Sequence, residues 1–424
     1  MNQAVEELLH QTNPWWRGKD FKAHTGILRE RYVHKIFKSF SVREIKILYG
    51  VRRSGKSTLL YQLIQHLLNH RTPAKNVAFV NFENNLFVPV IDQPSFLDQL
   101  LETIQKITNP KGEMFLFLDE IQEVKGWEKW ANKIYEQKRP IHLVFTGSSS
   151  SMQSTELATL LTGRNLSFEI KPLDFQEYLL FKTGKVPVKE SYEAFSDQRA
   201  ELKHYFEKYL KEGGFPGIVL TKDPGLKDDL LRQYFQDILY RDLIRKHEIR
   251  QPLKLEALAL YLISNMGRSL SYRSLAGTLN IAVETLKEYL IYFERSGLFS
   301  FLPPFSFSLK PRLRDTVRKK IYVADVGLRN AAAWNIGGDT GFLVENLIFQ
   351  LLKGEKSLGY TEDPEIDFAF IKQGSHLVQV CYADSIPPRE VAAFQKTSLK
   401  SKSKILISKD ACQPSARIRM IPAW

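Results

Sequence analysis

Between residues 41 and 170, short apolar runs alternate with longer segments in which apolar residues recur at helical spacing. The runs are too continuous for strands with one exposed face and are typical of strands buried on both faces. They cover residues 45–49, 77–82, 115–118 and 141–145. Strands that alternate with helices in this way predict an α/β fold with a parallel sheet, whose strands end at a shared edge.

The segment between the first strand and the following helix matches the Walker A pattern G-x-x-x-x-G-K-[ST]. In such a loop, backbone N–H groups point at phosphate oxygens, and the helix N-terminus adds positive charge. Lys56 is predicted to reach the β- and γ-phosphates of a nucleotide, and the Ser57 hydroxyl to bind Mg²⁺. The predicted nucleotide-binding residues are Gly50, Arg52, Arg53, Ser54, Gly55, Lys56, Ser57 and Thr58.

Two adjacent carboxylates, Asp119 and Glu120, follow the apolar run at 115–118. A buried strand that ends in this way resembles the Walker B element of nucleotide hydrolases. Asp119 is predicted to hold Mg²⁺, directly or through water, and Glu120 to act as the general base on the attacking water. With these two residues, the prediction extends from nucleotide binding to hydrolysis.

Three further residues are candidates for the same site. Ser148, after the fourth run, is either a sensor that hydrogen-bonds the γ-phosphate or part of a plain turn. Arg164 is either a surface ion-pair arginine or an arginine finger, acting in its own subunit or across a homo-oligomer. Glu83, which follows the second run, is expected near the phosphates.

Length and composition predict the number of domains and the cellular location. A chain of 424 residues is too long for one core and predicts two to four domains. No apolar run approaches the length of a membrane span, and the first residues lack the features of a signal peptide, which predicts a cytoplasmic protein without membrane insertion. Cys381 and Cys412 lack the spacing of a disulfide framework or a zinc site.

The chain is basic, with 60 Lys and Arg against 47 Asp and Glu and a formal net charge of +13. This charge favours an acidic partner such as nucleic acid or an anionic membrane surface. The positive side chains crowd one stretch, which contains Lys310, Arg312, Arg314, Arg318, Lys319 and Lys320.

The chain is predicted to have five parts. A lead-in at 1–40 precedes the nucleotide-binding core at 41–170, and the mainly helical residues 171–250 are expected to form a lid. Residues 251–324 are predicted to form a winged helix and 325–424 a further α/β domain.

The winged-helix prediction depends on three helical segments, of which the second is short and is joined to the third by Asn280-Ile281. This order is typical of a helix-turn-helix, and the basic stretch would lie in the wing. Thr285, Lys287 and the wing would then face the phosphates of double-stranded DNA. The alternative is a winged helix that docks a protein client or only packs within the chain.

Together these motifs resemble those of a prokaryotic ATPase family in which an AAA-like domain precedes a carboxy-terminal domain of unknown function. The resemblance covers nearly the whole chain and implies ATP as the nucleotide. Besides the two Walker elements, it rests on 146–149, 163–164, Pro172-Leu173-Asp174-Phe175-Gln176-Glu177-Tyr178, Gly213-Gly214-Phe215-Pro216, Asp325-Val326-Gly327-Leu328 and Glu345-Asn346.

In that family the carboxy-terminal segment resembles a restriction-endonuclease-like fold of the PD-(D/E)xK type, in which carboxylates and a lysine bind Mg²⁺ and activate water. Glu345 and Asp367 match two of its acidic positions. The third element should be Glu-x-Lys, but this chain has Gln379-Val380-Cys381. Loss of both charged groups predicts that the nuclease-like domain is inactive.

The sequence therefore predicts Mg²⁺-dependent ATP binding and hydrolysis coupled to conformational change, with carboxy-terminal domains that recognise DNA or a protein partner. Two alternatives are a slowly hydrolysing, nucleotide-gated DNA-binding switch and an ATP-assisted DNA nuclease, the second of which Gln379 and Cys381 oppose.

Overall fold

The computed structural model describes residues 3–152, 160–185, 199–307, 318–333, 340–410 and 418–424. The chain folds as two compact units, Met1–Lys171 and Pro172–Trp424. The finer division predicted from the sequence stays a prediction. Lys310, Arg312, Arg314 and Cys412 lie outside the described residues.

The first unit is built on a five-stranded sheet with the strand order β2-β3-β4-β1-β5. Every pair of neighbouring strands is parallel, so all five end at the same edge. This confirms the predicted α/β fold with a parallel sheet. The strands are β1 (Ile45–Gly50), β2 (Val77–Asn81), β3 (Met114–Asp119), β4 (Ile141–Ser148) and β5 (Asn165–Glu169).

Helices accompany this sheet, and apolar side chains fill a core on each of its faces. Consecutive side chains of β1 point to opposite faces of the sheet, so that Ile47 packs into one core and Leu48 into the other. The helices are α1 (Gln3–Thr12), α2 (Glu30–Lys38), α3 (Lys56–Asn69), α4 (Phe96–Thr108), α5 (Trp127–Glu136) and the short α6 (Ser149–Met152).

The lead-in covers the exposed edge of β2. The Asn13 side chain accepts a hydrogen bond from the Phe79 N–H at 2.6 Å and donates one to the Phe79 carbonyl at 2.9 Å, as a neighbouring strand would. The indole N–H groups of Trp15 and Trp16 both donate to the Val77 carbonyl, at 2.9 and 2.7 Å. These contacts satisfy backbone groups that an edge strand would otherwise expose.

The second unit contains two sheets. An antiparallel three-stranded sheet has the order β6-β8-β7, and a mixed five-stranded sheet has the order β13-β12-β11-β10-β9. The strands are β6 (Ser269–Leu270), β7 (Phe299–Leu302), β8 (Lys319–Val323), β9 (Lys356–Glu362), β10 (Glu365–Ile371), β11 (Ser375–Cys381), β12 (Ser403–Ser408) and β13 (Arg419–Pro422).

Helices make up most of the rest of this unit, and none of the helices in the described part of the chain is long and apolar enough to span a membrane. They are α7 (Phe175–Thr183), α8 (Arg199–Glu212), α9 (Pro216–Leu220), α10 (Pro224–Asp237), a π-helix (Ile238–Arg245), α11 (Pro252–Ser264), α12 (Tyr272–Leu279), α13 (Val283–Ser296), α14 (Val326–Ala332), α15 (Thr340–Leu352) and α16 (Pro388–Lys396).

Two of the motifs behind the family resemblance meet inside the second unit. Asp325 caps α14 by accepting a hydrogen bond from the Gly327 N–H at 2.8 Å. Its other oxygen accepts the Gly214 N–H at 2.6 Å. Burial raises the pKa of Asp325 to about 6, although these backbone donors lower it. The motifs at 213–216 and 325–328 therefore contact each other, and their role in the fold is to hold these two segments together.

We predict that Asp325→Asn destabilises the protein by about 1–3 kcal/mol, because an amide group cannot accept both backbone hydrogen bonds. The raised pKa means that the contribution of Asp325 is largest at acidic pH and is lost as pH rises through about 6. The difference between wild type and variant should therefore shrink by about 1 kcal/mol from pH 5 to pH 8. Denaturant unfolding at both pH values measures it, and a constant or growing difference contradicts this account.

Candidate nucleotide site

The Walker A loop connects the carboxyl end of β1 to the start of α3. Two of its residues, Arg53 and Gly55, have left-handed backbones, with φ of 69° and 93°. Glycine adopts this conformation without steric cost, whereas arginine adopts it with some strain. The loop thus turns sharply enough for α3 to begin at Lys56, immediately after Gly55.

Lys56 lies against its own loop. Its ammonium donates to the carbonyl of Gly50 at 3.1 Å and to that of Val51 at 3.4 Å, and the residue is only 6 % exposed. Ser54 in the same loop is fully buried, and its hydroxyl finds no hydrogen-bond partner among the described residues. The loop therefore presents a cation and an unpartnered hydroxyl.

An arginine from the lead-in supports this loop. The buried Arg29 donates to the carbonyls of Ser54 and Lys171, at 3.0 Å each, and so joins the loop to the chain that follows β5. Gln62 on α3 fixes the Arg29 backbone by accepting its N–H at 3.1 Å. Sequence reasoning missed Arg29, because nothing in its local sequence indicates which carbonyls it reaches.

Asp119 ends β3 in a buried position beside the loop. Its Oδ1 accepts a hydrogen bond from the Thr146 hydroxyl, while its Oδ2 is buried without a hydrogen-bond partner among the described residues. Burial and the neighbouring Glu120 raise the pKa of Asp119 to about 6, against the opposite effects of Thr146, Ser57 and Lys56. A carboxylate oxygen without a partner, near the Ser57 hydroxyl, is a donor set that fits Mg²⁺.

Glu120 is held by hydrogen bonds to two neighbours, Thr146 and Gln122. Its backbone is left-handed, with φ of 55°, and its N–H donates to the Thr146 hydroxyl at 3.0 Å. The Gln122 side-chain amide donates to its carboxylate. Gly147 makes room for that amide, because a Cβ at this position would lie 2.4 Å from Gln122 Oε1. A backbone conformation that costs about 1 kcal/mol is thus held in place by the surrounding contacts.

Sequence reasoning missed Thr146 and Gln122. Thr146 follows the apolar run at 141–145 directly, and only the structure shows that β4 continues to Ser148 and buries its side chain. Its hydroxyl serves both residues of the Walker B pair, since it donates to Asp119 and accepts from Glu120. Gln122 gave no signal either, because its role depends on the turn after β3.

Two other predicted residues lie at the same edge of the sheet. Ser148 is buried and aligns with Gly50 in the pairing of β4 with β1. Arg52 of the loop forms an ion pair with Glu83, with Nη1 3.6 Å from Oε1. The structure therefore brings Ser148 and Glu83 to the loop, and the sensor role of Ser148 stays a prediction.

The structure does not bring Arg164 to this site. Its carbonyl accepts the N–H of Ile45, the first residue of β1, so it lies at the opposite end of a six-residue strand. That strand separates it from the loop by about 16 Å. Its guanidinium donates to Asn132 and pairs with Glu136 at 3.1 Å. A finger role toward the nucleotide of a neighbouring subunit stays a prediction.

Comparison with known proteins places family matches on both units. An AAA domain matches residues 42–179, and a domain of unknown function (DUF8612) matches residues 203–339. Among solved structures, the chain is similar to the Walker-type ATPase paby2304 of Pyrococcus abyssi, with 15 % identity and a TM-score of 0.46 over 72 % of this chain and 95 % of that one.

Two relatives align with most of the chain. The uncharacterised protein MJ1544 of Methanocaldococcus jannaschii is 33 % identical over 83 % of this chain and 78 % of its own length. An uncharacterised protein of Haemophilus influenzae is 30 % identical over 90 % of this chain and 93 % of its own. The chain therefore belongs to the family that includes these two proteins, and its residues 42–179 are an AAA domain of the P-loop ATPase type.

Proposed function

We propose that the first unit binds ATP with Mg²⁺ and hydrolyses the bond to the γ-phosphate. The observation that carries this proposal is the buried Asp119 carboxylate beside the Walker A loop: its Oδ2 has no hydrogen-bond partner within 3.5 Å among the described residues, and the Ser57 side chain is close enough to lower its pKa. The AAA domain supports nucleotide hydrolysis, and the choice of ATP follows from the family resemblance.

Each side chain has a separate part in this reaction. Ser57 and Asp119 would hold the ion, which when bound neutralises phosphate charge. Lys56, released from the carbonyls of Gly50 and Val51, stabilises the charge that develops on the phosphates. Glu120 accepts the proton of the attacking water, and the amide of Gln122 fixes its carboxylate for that task.

We predict that Glu120→Gln lowers kcat by roughly 100-fold or more while ATP affinity is retained. The variant keeps the size of the side chain and an oxygen that accepts from Gln122, but it cannot take a proton. Lys56→Ala is the matched control, because it should weaken ATP binding by about tenfold or more.

Steady-state hydrolysis gives kcat for each protein, and a fluorescent ATP analogue gives affinity. Normal turnover by Glu120→Gln contradicts the assignment of the base. Unchanged ATP affinity in Lys56→Ala contradicts the assignment of the loop.

We predict further that Gln122→Ala lowers kcat by about tenfold, because the Glu120 carboxylate loses the donor that orients it. In the Glu120→Gln background, the same change should have little additional effect, since the two residues act as one unit. Kinetics of the four proteins give this double-mutant cycle. Additive losses, or a loss of kcat explained by a fall in the unfolding midpoint, contradict a positioning role.

We propose, second, that nucleotide state is coupled to conformational change and that residues 251–324 form a winged helix that recognises double-stranded DNA. Two observations support a winged helix. Helix α12 is followed closely by α13, with the left-handed Asn280 between them, and the small sheet β6-β8-β7 belongs to the same segment. The net charge of +13 is of the sign that DNA attracts. Lys287 on α13 is partly exposed and pairs with Glu284 at 3.1 Å, and it is one of the described residues proposed to contact phosphates, together with Thr285, Arg318 and Lys319.

We predict that double-stranded DNA stimulates ATP hydrolysis. We also predict that Lys287→Ala weakens DNA binding and makes the slope of log K against log salt concentration shallower by about one. Lys19→Ala, which removes an exposed charge from the first unit, is the matched control. Hydrolysis is measured with and without duplex DNA over a range of salt concentrations. Turnover that depends on Glu120 but not on DNA favours a protein client instead.

A further inference from the structure

A buried lysine sits among three carboxylates in the second unit. The Lys320 side chain, on β8, is only 5 % exposed. Its ammonium lies 3.0 Å from Asp367 Oδ1 and 3.1 Å from Glu365 Oε1, both on β10, and 3.4 Å from Glu345 Oε1 on α15. Sequence reasoning counted Lys320 with the basic wing, and the structure corrects this, because the side chain faces the second sheet instead of solvent.

Several other polar atoms of this cluster also form hydrogen bonds. Asp367 Oδ2 accepts the Val380 N–H at 2.9 Å, and Glu345 Oε1 accepts the Tyr322 hydroxyl at 2.6 Å. Gln379, which stands where the family has an acidic residue, accepts the Asp367 N–H at 3.1 Å. None of these side chains has a buried polar atom without a partner, in contrast to Asp119.

The charges of this cluster favour an ammonium over a metal ion. Burial lowers the pKa of Lys320, but Glu345, Asp367 and Glu365 outweigh it and leave the pKa above its ordinary value. The side chain therefore keeps its positive charge, and an ammonium has three donors, one for each acidic side chain. Burial and Asp367 raise the pKa of Glu345 to about 8, against the opposite effect of Lys320. A divalent cation would need the same oxygens at about 2.0–2.6 Å, which the ammonium prevents. Among the described residues, no group of three or more acidic, histidine or cysteine side chains is arranged to hold a metal.

We propose that Lys320 is the resident cation of the second unit. Its ammonium occupies the place that the nuclease-like resemblance gives to Mg²⁺, so the wild-type site binds no divalent metal and cleaves no phosphodiester bond. The same ion cluster fastens β8 of the small sheet to β10 and α15. Removing the ammonium leaves Glu345 and Asp367 side by side and creates a divalent-cation site.

A cavity next to the cluster gives an ion a route in. It measures about 370 Å³, and Glu365 and Gln379 line both the cavity and the cluster. Arg389 and Glu390 also line the cavity, and Glu390 accepts a hydrogen bond from the Gln379 side-chain amide at 2.8 Å. A metal ion could therefore reach the carboxylates of a variant that lacks the ammonium, without unfolding of the unit.

Binding of Mn²⁺ to the full chain tests this proposal without any reference to ATP hydrolysis. All proteins carry Asp119→Asn, which removes the candidate ion site of the first unit. Electron paramagnetic resonance of free Mn²⁺ measures binding up to about 1 mM, the range of weak carboxylate sites. We expect no site in the Asp119→Asn protein, one added site when Lys320→Met is introduced, and loss of that site when Asp367→Asn is added.

Thermal unfolding provides a second measurement on the same proteins. Mn²⁺ should raise the unfolding midpoint of the Lys320→Met protein and leave that of the Asp119→Asn protein unchanged, because only a ligand of the folded state stabilises it. Two results overturn the proposal. One is Mn²⁺ binding by the Asp119→Asn protein that Asp367→Asn or Glu345→Gln abolishes. The other is a folded Lys320→Met protein that binds no Mn²⁺.

Discussion

The hydrogen bond from Thr146 to Asp119 joins β4 to β3 at the edge where the candidate nucleotide site lies. It satisfies one oxygen of a buried carboxylate, while the other has no hydrogen-bond partner in the part of the chain that the structure describes. An ionised carboxylate in such a position is costly, and the rise of its pKa to about 6 expresses that cost. The surrounding residues reduce it only in part, since Ser57 and Lys56 favour the charged form while Glu120 opposes it. A bound cation would offset the remainder, which is consistent with the proposed binding of a nucleotide with Mg²⁺.

Thr146 also affects the geometry of Glu120, the proposed general base. By accepting the N–H of Glu120, Thr146 helps to hold a left-handed residue directly after the buried strand. Gln122 then fixes the direction of the Glu120 carboxylate, and Gly147 leaves the space that Gln122 needs. The carboxylates proposed to bind the metal and to accept the proton are adjacent in sequence, but Thr146 on β4 donates to the Asp119 carboxylate and accepts only the backbone N–H of Glu120. One is buried and partly unsatisfied, and the other is oriented at the edge.

The sequence predicted those parts of the fold that depend on local pattern. Continuous apolar runs indicated a parallel sheet, and the spacing of Gly50, Gly55 and Lys56 indicated the loop at its edge. Parts that depend on contacts between distant residues were not predictable in this way. Arg29 lies 25 residues from the carbonyl of Ser54 that it supports, and no pattern specifies that pairing. The location of Arg164 likewise follows from its place before β5, at the amino ends of the strands, and a finger motif cannot reveal this.

Asp119 and Asp367 show why residue type alone does not define a metal site. Both are buried carboxylates at or near a sheet, and sequence resemblance gives Mg²⁺ to the position of each. Asp119 has an oxygen without a hydrogen-bond partner, whereas Asp367 has one oxygen on the Val380 N–H and the other on an ammonium. That ammonium comes from β8, far from the Glu-x-Lys position in sequence. It reaches the cluster because alternate residues of a strand share a face, and Lys320 and Tyr322 both point toward Glu345. The nuclease-like resemblance expects a lysine near position 381, whereas the described lysine that contacts Asp367 comes from β8, and under our proposal its ammonium stands in place of a metal.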